Sequence, residues 1–343
     1  MSLKSYIIAR VFLTIPMIML LLTFVFLMVR ILPGDPATLH FTRSIDPKAL
    51  LAFKHELGLD KPIWVQYFEY LGAFLQGDFG KSMQDFSPVS QQMFSAFPAT
   101  LELALASTIV MIVPGVLAGA IAARSYNTTK DHVIRFFGIA VYAIPVFFLG
   151  EVLIMVFGVY LHWFPSGGRM PAGMLPTGLS IGGVHYVTGL YVLDSLLEGS
   201  AQKLYFSVLY LILPTLTLGI IYSGIFTRLT RNNMLGILQL DFITAAKARG
   251  LRGRTIVYGY ALRNAFLPVL TMSGLQFAAL LGGAVLTEIT FSWQGLGRYL
   301  VDRISFRDYT AIQGVVVFFG LLVTAVSLAV DIMYAYLDPR IRL

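Results

Sequence analysis

Apolar residues gather into six long stretches separated by polar segments: about Val11–Val29, Thr100–Ala123, Val133–Tyr160, Leu204–Thr227, Ala265–Thr287 and Thr310–Leu337. Each suits a membrane-spanning helix, which needs roughly 20 mostly apolar residues because backbone groups in lipid pair only within their own segment. Prolines fall inside several, at Pro16, Pro114, Pro145 and Pro214. A bundle tolerates such breaks, since neighbours satisfy the freed carbonyls. Ordinary kinks are expected there, with hinges for a conformational cycle as the alternative. The first stretch is too long for a signal-peptide core of about 7–15 residues, and no A-x-A site follows it. It is read as a retained anchor.

The intervening segments divide by charge. Lys4, Arg10, Arg124, Lys130, Arg135, Arg228, Arg231, Lys247, Arg249, Arg252, Arg254, Arg263, Arg340 and Arg342 fall on one side, 14 of the 25 basic residues, in the shorter loops. An excess of Lys and Arg in short loops marks the cytoplasmic side. Both termini are therefore expected in the cytoplasm. So is the Asn127-Thr128-Thr129 sequon, which is taken as chance. The outer segments are about Arg30–Pro98, Leu161–Lys203 and Thr290–Tyr309. In the first, Asp46 with Pro47 reads as a helix start and Gly58 as its stop. A second amphipathic piece runs from Pro62 to about Leu75. The outer aromatics Trp64, Tyr67, Phe68, Tyr70, Trp163 and Trp293 could stack on sugars, but are read as interface anchors.

Composition agrees with a membrane bundle. Hydrophobic residues make up 57% and charged residues 13%, where a soluble domain carries about 25% charged residues. One helical membrane domain is expected rather than two soluble ones. The absence of cysteine excludes disulfides, thiolate metal sites and a cysteine nucleophile.

Two motif fragments fail on inspection. Gly77 to Ser82 (GDFGKS) ends like a phosphate loop, but Leu75 stands where the first glycine belongs. His55-Glu56-Leu57-Gly58-Leu59 begins like a zinc-protease helix, but Leu59 replaces the second histidine. His40, His55, His132, His162 and His185 are scattered, so neither a catalytic nor a metal site is expected. Acids in or near spans are functional candidates by default. Glu151 lies deepest, and with Glu102 and Glu288 it is a candidate for lining a translocation pathway. Glu102 and Glu288 lie near outer ends, where they could reach water or make polar contacts between helices. Asp331 lies near an inner end, within reach of Arg340 or Arg342.

Between two apolar spans lies a polar, basic stretch, Asp241 to Pro268, DFITAAKARGLRGRTIVYGYALRNAFLP, the largest candidate for work outside lipid. It carries Lys247, Arg249, Arg252, Arg254 and Arg263 against one acid, Asp241. Phe242, Ala245, Ala246 and Arg249 fall on one face at helical spacing, and Gly250 ends the helix. Composition leaves two uses open: a docking helix for a protein with acidic groups, or a basic helix on anionic lipid.

The order of residues resembles the EAA loop of ABC importer permeases: Ala245-Ala246-x-x-x-Gly250, then Pro268 at position 18 after the glycine. The spacing is similar to the dipeptide/oligopeptide branch, with Asp241–Leu251 (DFITAAKARGL) and Ala261–Pro268 (ALRNAFLP). The family often has Glu where Thr244 stands, and this branch often has Arg-Thr at Thr244-Ala245. Further similar segments follow in order: Leu32–Ala37 (LPGDPA), Leu57–Ser82, Pro98–Ala106 (PATLELALA), Leu213–Gly219 (LPTLTLG), Gly282–Gly297 (GGAVLTEITFSWQGLG), Arg307–Val315 (RDYTAIQGV) and Leu337–Leu343 (LDPRIRL).

The resemblance implies an all-α polytopic fold of the type I ABC importer permease. Residues 1–98 would hold the first span and an outer helical segment, and 99–343 a five-helix core with a cytoplasmic coupling loop at about 228–264. That loop would offer Asp241, Phe242, Thr244, Ala245, Ala246, Lys247, Arg249, Gly250 and Arg252 to an ATPase. The implied partners are a second, nonidentical permease, two cytoplasmic ATPase subunits that bind ATP and Mg, an extracellular substrate-binding protein and membrane lipid; nucleic acid is not among them. The chain itself would be no enzyme and hold no cofactor. It would import di- and oligopeptides across the cytoplasmic membrane of a prokaryote by alternating access. Oligosaccharide or nickel import on the same architecture, and an ion-coupled secondary transporter, are the alternatives.

Overall fold

A computed structural model describes residues 3–31, 55, 60–181 and 184–337. The LPGDPA segment, His40, the helix expected between Asp46 and Gly58, and Arg340 and Arg342 lie outside the described residues.

The chain opens with α1 (Leu3–Ile31), which keeps Pro16 inside it. A shorter helix, α2 (Ile63–Leu75), follows. Two long helices, α3 (Val89–Arg124) and α7 (Ala201–Ile237), form the centre of the bundle. Between them lie α4 (Thr129–Tyr142), α5 (Val146–Leu153) with a π-helical extension Ile154–Tyr160, a hairpin of β1 (Leu179–Ile181) and β2 (Val184–Tyr186), and α6 (Tyr191–Glu198). The hairpin is antiparallel, with Leu179 opposite Tyr186. After α7 come α8 (Asp241–Ala248), a π-helical stretch Thr255–Ala261, α9 (Leu262–Gly283), α10 (Val285–Thr290), α11 (Leu296–Ser305) and α12 (Tyr309–Leu337).

Five of these helical segments are long and apolar enough to cross a membrane unbroken: Ile7–Arg30, Val89–Arg124, Ala201–Ile237, Thr255–Gly282 and Tyr309–Met333. The third expected span is not one straight helix. It is the pair Thr129–Tyr142 and Val146–Tyr160, bent by 99°. The break falls at Pro145, the N-cap of α5, which has no N–H to continue the hydrogen-bond ladder. Pro114 and Pro214 stay inside continuous helices. The fifth span also ends early: the helix stops at Gly283 and restarts as α10, so Thr287 lies beyond it.

Small residues let α3 and α7 approach closely, the usual basis of helix association in lipid. A Cβ on Gly119 would stand 2.6 Å from the Thr227 carbonyl oxygen, and one on Gly115 2.7 Å from that of Ser223. Around this contact Leu103, Met111, Leu218, Phe226, Val269 and Trp293 form the central core. Trp293 is fully buried, so it neither anchors at an interface nor offers a stacking face. Tyr67 and Tyr70 also turn inward, against Phe26 of α1, while Trp64, Phe68 and Trp163 are exposed. The first helix rests on the last through Leu22, Val25 and Val317. Asp331 pairs with Arg10 of α1 at 3.2 Å.

Candidate functional site

The loop between α7 and α9 folds as a short helix held on one face. Asp241 opens α8, where its charge suits the helix N-terminus. Gly250 ends it with φ +73°, a left-handed conformation that costs other residues energy. Gly250 N donates to the Lys247 carbonyl at 2.9 Å and Leu251 N to that of Ala246 at 3.3 Å. These two bonds are those of a Schellman motif.

The face expected from spacing is divided. Ile243 and Ala246 point into the protein, against Ala120 and Ala123 of α3, Met234 of α7, and Ile256, Val257 and Ala265 that follow. Thr244, Lys247 and Arg252 are exposed. Phe242, Ala245 and Arg249 form an outward stripe at helical spacing. Ala246 therefore belongs to the inward seat rather than to the outward face, because the helix needs an apolar side against its own chain. Ile243 carries most of that seat and was missed among the site residues; an isoleucine one position after a phenylalanine gives no sign in sequence of which of the two faces inward. The side chains of Lys247, Arg249, Arg252, Arg254 and Arg263 make no hydrogen bond or ion pair among the described residues.

The three candidate pathway acids divide in a similar way. Glu102 of α3 is buried and binds Arg169 at 2.6 Å. It also accepts the backbone N–H of Val192 at 2.7 Å. Arg169 lies over the rings of Tyr191 at 3.7 Å and Trp293 at 5.2 Å and donates to the Gly189 carbonyl. Glu288 is fully buried as well. It accepts from the Thr100 hydroxyl at 2.6 Å and from Arg298 N at 2.9 Å, so its carboxylate caps α11. The Cβ that Gly295 lacks would fall on that carboxylate. Neither acid reaches water; both make polar contacts between elements. Glu151 on α5 is exposed, and its side chain makes no hydrogen bond or ion pair among the described residues.

Segments singled out in the sequence meet at this end of the bundle, opposite α8. Thr100 and Glu102 come from PATLELALA, Glu288 and Trp293 from TEITFSWQGLG, and the Trp293 indole N–H donates to the Ala99 carbonyl at 2.8 Å. The end of GDFGKS also finds a use. Ser82 donates to Asp308 at 2.5 Å and Met83 N to the same carboxylate at 3.1 Å. Arg303 bridges Ser82, Gln84 and Asp85. Burial opposes the charge on Asp85, but bonds from Ser87 and Gln92 hold its carboxyl well below the usual range. Among the described residues no group of three or more His, Asp or Glu is placed to hold a metal ion.

Residues 115–343 match the family "Binding-protein-dependent transport system inner membrane component", and residues 3–104 its N-terminal counterpart. The chain is 39% identical over 339 residues to a di/tripeptide transport system permease protein, DppB, of Pseudomonas aeruginosa, covering 98% of each chain. It is 36% identical to the dipeptide transport system permease protein DppB of Escherichia coli K12, again over 98% of each. A glutathione transport system permease protein, GsiC, of Salmonella choleraesuis is 36% identical, over 98% of this chain and 99% of its own.

Proposed function

This chain belongs to the family of binding-protein-dependent transport system inner membrane components, and from that membership we propose that it is a permease subunit of an ATP-driven importer of small peptides. Its relatives' names supply the substrate class. The observation that carries the mechanism is the divided helix α8. One side is seated on the ends of α3, α7 and α9 through Ile243 and Ala246. The other offers the side chains of Phe242, Ala245, Lys247, Arg249 and Arg252, whose polar groups have no partner among the described residues.

On this reading the outward side of α8 docks in a groove of a cytoplasmic ATPase, and its cations pair with acids there. ATP binding closes a pair of ATPases. Because Ile243 and Ala246 are packed rather than tethered by flexible chain, motion of α8 moves the inner ends of three spanning helices together. The bundle and a second, nonidentical permease then turn from inward-open to outward-open, and a binding protein delivers substrate from outside. Both termini and α8 lie in the cytoplasm, as the basic loops indicate. Of the three acids, Glu151 is the one proposed to line the pathway. Glu102 and Glu288 instead hold the outer ends in place.

Co-purification tests the assembly: pulling down this chain should bring two ATPase subunits and a second permease. Transport by the isolated chain, driven by an ion gradient, would refute it. A thermal-shift screen of the cognate binding protein should give shifts with di- and tripeptides and none with oligosaccharides or nickel.

A further inference from the structure

A cleft of about 300 Å³ opens between α4 and α7, at the end of the bundle that carries α8. Its floor is the close approach of Gly138 and Gly224, where a Cβ on Gly224 would fall on the Gly138 carbonyl. Three arginines stand at its mouth: Arg135, Arg228 and Arg231. Arg231 is neutralised by Asp131, through bonds of 2.6 and 2.7 Å. Arg135 and Arg228 are exposed and their side chains make no hydrogen bond or salt bridge among the described residues, although Arg135 feels the charge of Asp131. Among the described residues no acid lines the cleft. Further in, its walls turn apolar, with Ile139, Tyr142 and Ile225.

The vertical order of these groups matters. The turn between α3 and α4 and the Asp131–Arg231 pair lie at one level, and α7 continues beyond it to Ile237. At about 1.5 Å per residue, Arg135 and Arg228 lie roughly 5 Å deeper than that pair. Ile139, Tyr142 and Ile225 lie deeper again. Two cations that make no salt bridge, above an apolar slot between helices, match an anionic phospholipid. Its phosphodiester would meet the arginines, and its acyl chain would lie in the slot. A free phosphate or a peptide carboxylate could use the cations but not the slot. We propose that this cleft binds an anionic phospholipid headgroup, with Arg135 and Arg228 as its ligands, and that it is distinct from the docking face of α8. Basic pockets between spanning helices are a recurrent way of holding anionic lipids.

The test is native mass spectrometry of the importer, purified in mild detergent and supplied with phosphatidylglycerol or phosphatidylcholine. The wild type should retain phosphatidylglycerol selectively. The double variant Arg135→Gln/Arg228→Gln should retain it roughly tenfold less, since each cation near a lipid surface contributes a substantial part of such binding. Lys130→Gln removes an exposed charge beside the cleft and should change nothing. Equal retention of phosphatidylcholine, or an equal loss with Lys130→Gln, would overturn the proposal. So would displacement of the lipid by millimolar inorganic phosphate or by transported peptide. A second measurement needs no variant: phosphatidylglycerol with a photoreactive acyl chain should label the wild type at Ile139 or Tyr142. Absence of label there, as when the second permease fills the cleft, would refute the assignment.

Discussion

At the end of the bundle opposite α8 the charges are buried and paired; in the loop that carries α8 they are exposed and unpaired among the described residues. Glu102 with Arg169, Glu288 with Thr100 and the α11 N-terminus, and Asp308 with Ser82 each join segments far apart in sequence. A charge out of water requires a partner, so these residues serve the fold. Lys247, Arg249 and Arg252 remain solvated, and their charge is left for another molecule. The acids first singled out for lying in apolar sequence thus turn out to be held in two different ways, and Glu151 resembles the loop more than it resembles Glu102.

Substitutions can break this comparison at either end. The largest effect on stability is expected from Glu102→Ala, which leaves Arg169 buried without its carboxylate. Removing one member of a buried pair costs about 3–5 kcal/mol, and a thermal melt of the purified protein should show it; an unchanged melting temperature would remove the distinction. Gly119→Ala at the contact of α3 with α7 should cost roughly 1–3 kcal/mol by overpacking, visible in the same assay, because the Thr227 carbonyl is backbone and cannot move aside. Gly250→Val should cost about 1–2 kcal/mol through its left-handed φ and should also lower transport per ATP hydrolysed. Arg249→Glu should change stability by less than about 0.5 kcal/mol. It should nevertheless uncouple ATP hydrolysis from uptake in reconstituted vesicles while the protein stays in the membrane. Coupled transport at the wild-type ratio in both loop variants would sink the docking assignment.

Much of this was legible in the chain. Apolar run length marked the spans, and the Ala-Ala-x-x-x-Gly order marked α8 and its stop, since both rest on local rules. The bend at Pro145 was legible only as a possible kink; its angle depends on what packs against each half. Which of Phe242 and Ile243 faces inward was not legible, because two adjacent apolar residues fit either register. Trp293 was misread as an interfacial aromatic for a similar reason: its partners, Ala99 and Arg169, come from distant segments.

Composition and local spacing were enough for the membrane class, the number of apolar stretches, the uneven spread of basic residues and the place of α8. Each is written in composition or in spacing over one or a few turns. Which acids are buried and paired, which side of α8 is seated, and where Arg135 and Arg228 come together over an apolar cleft emerge from the packing of the folded chain. Those outcomes depend on contacts between residues tens to hundreds of positions apart. Burial then decides whether a charge must be satisfied within the chain or can be left for a partner.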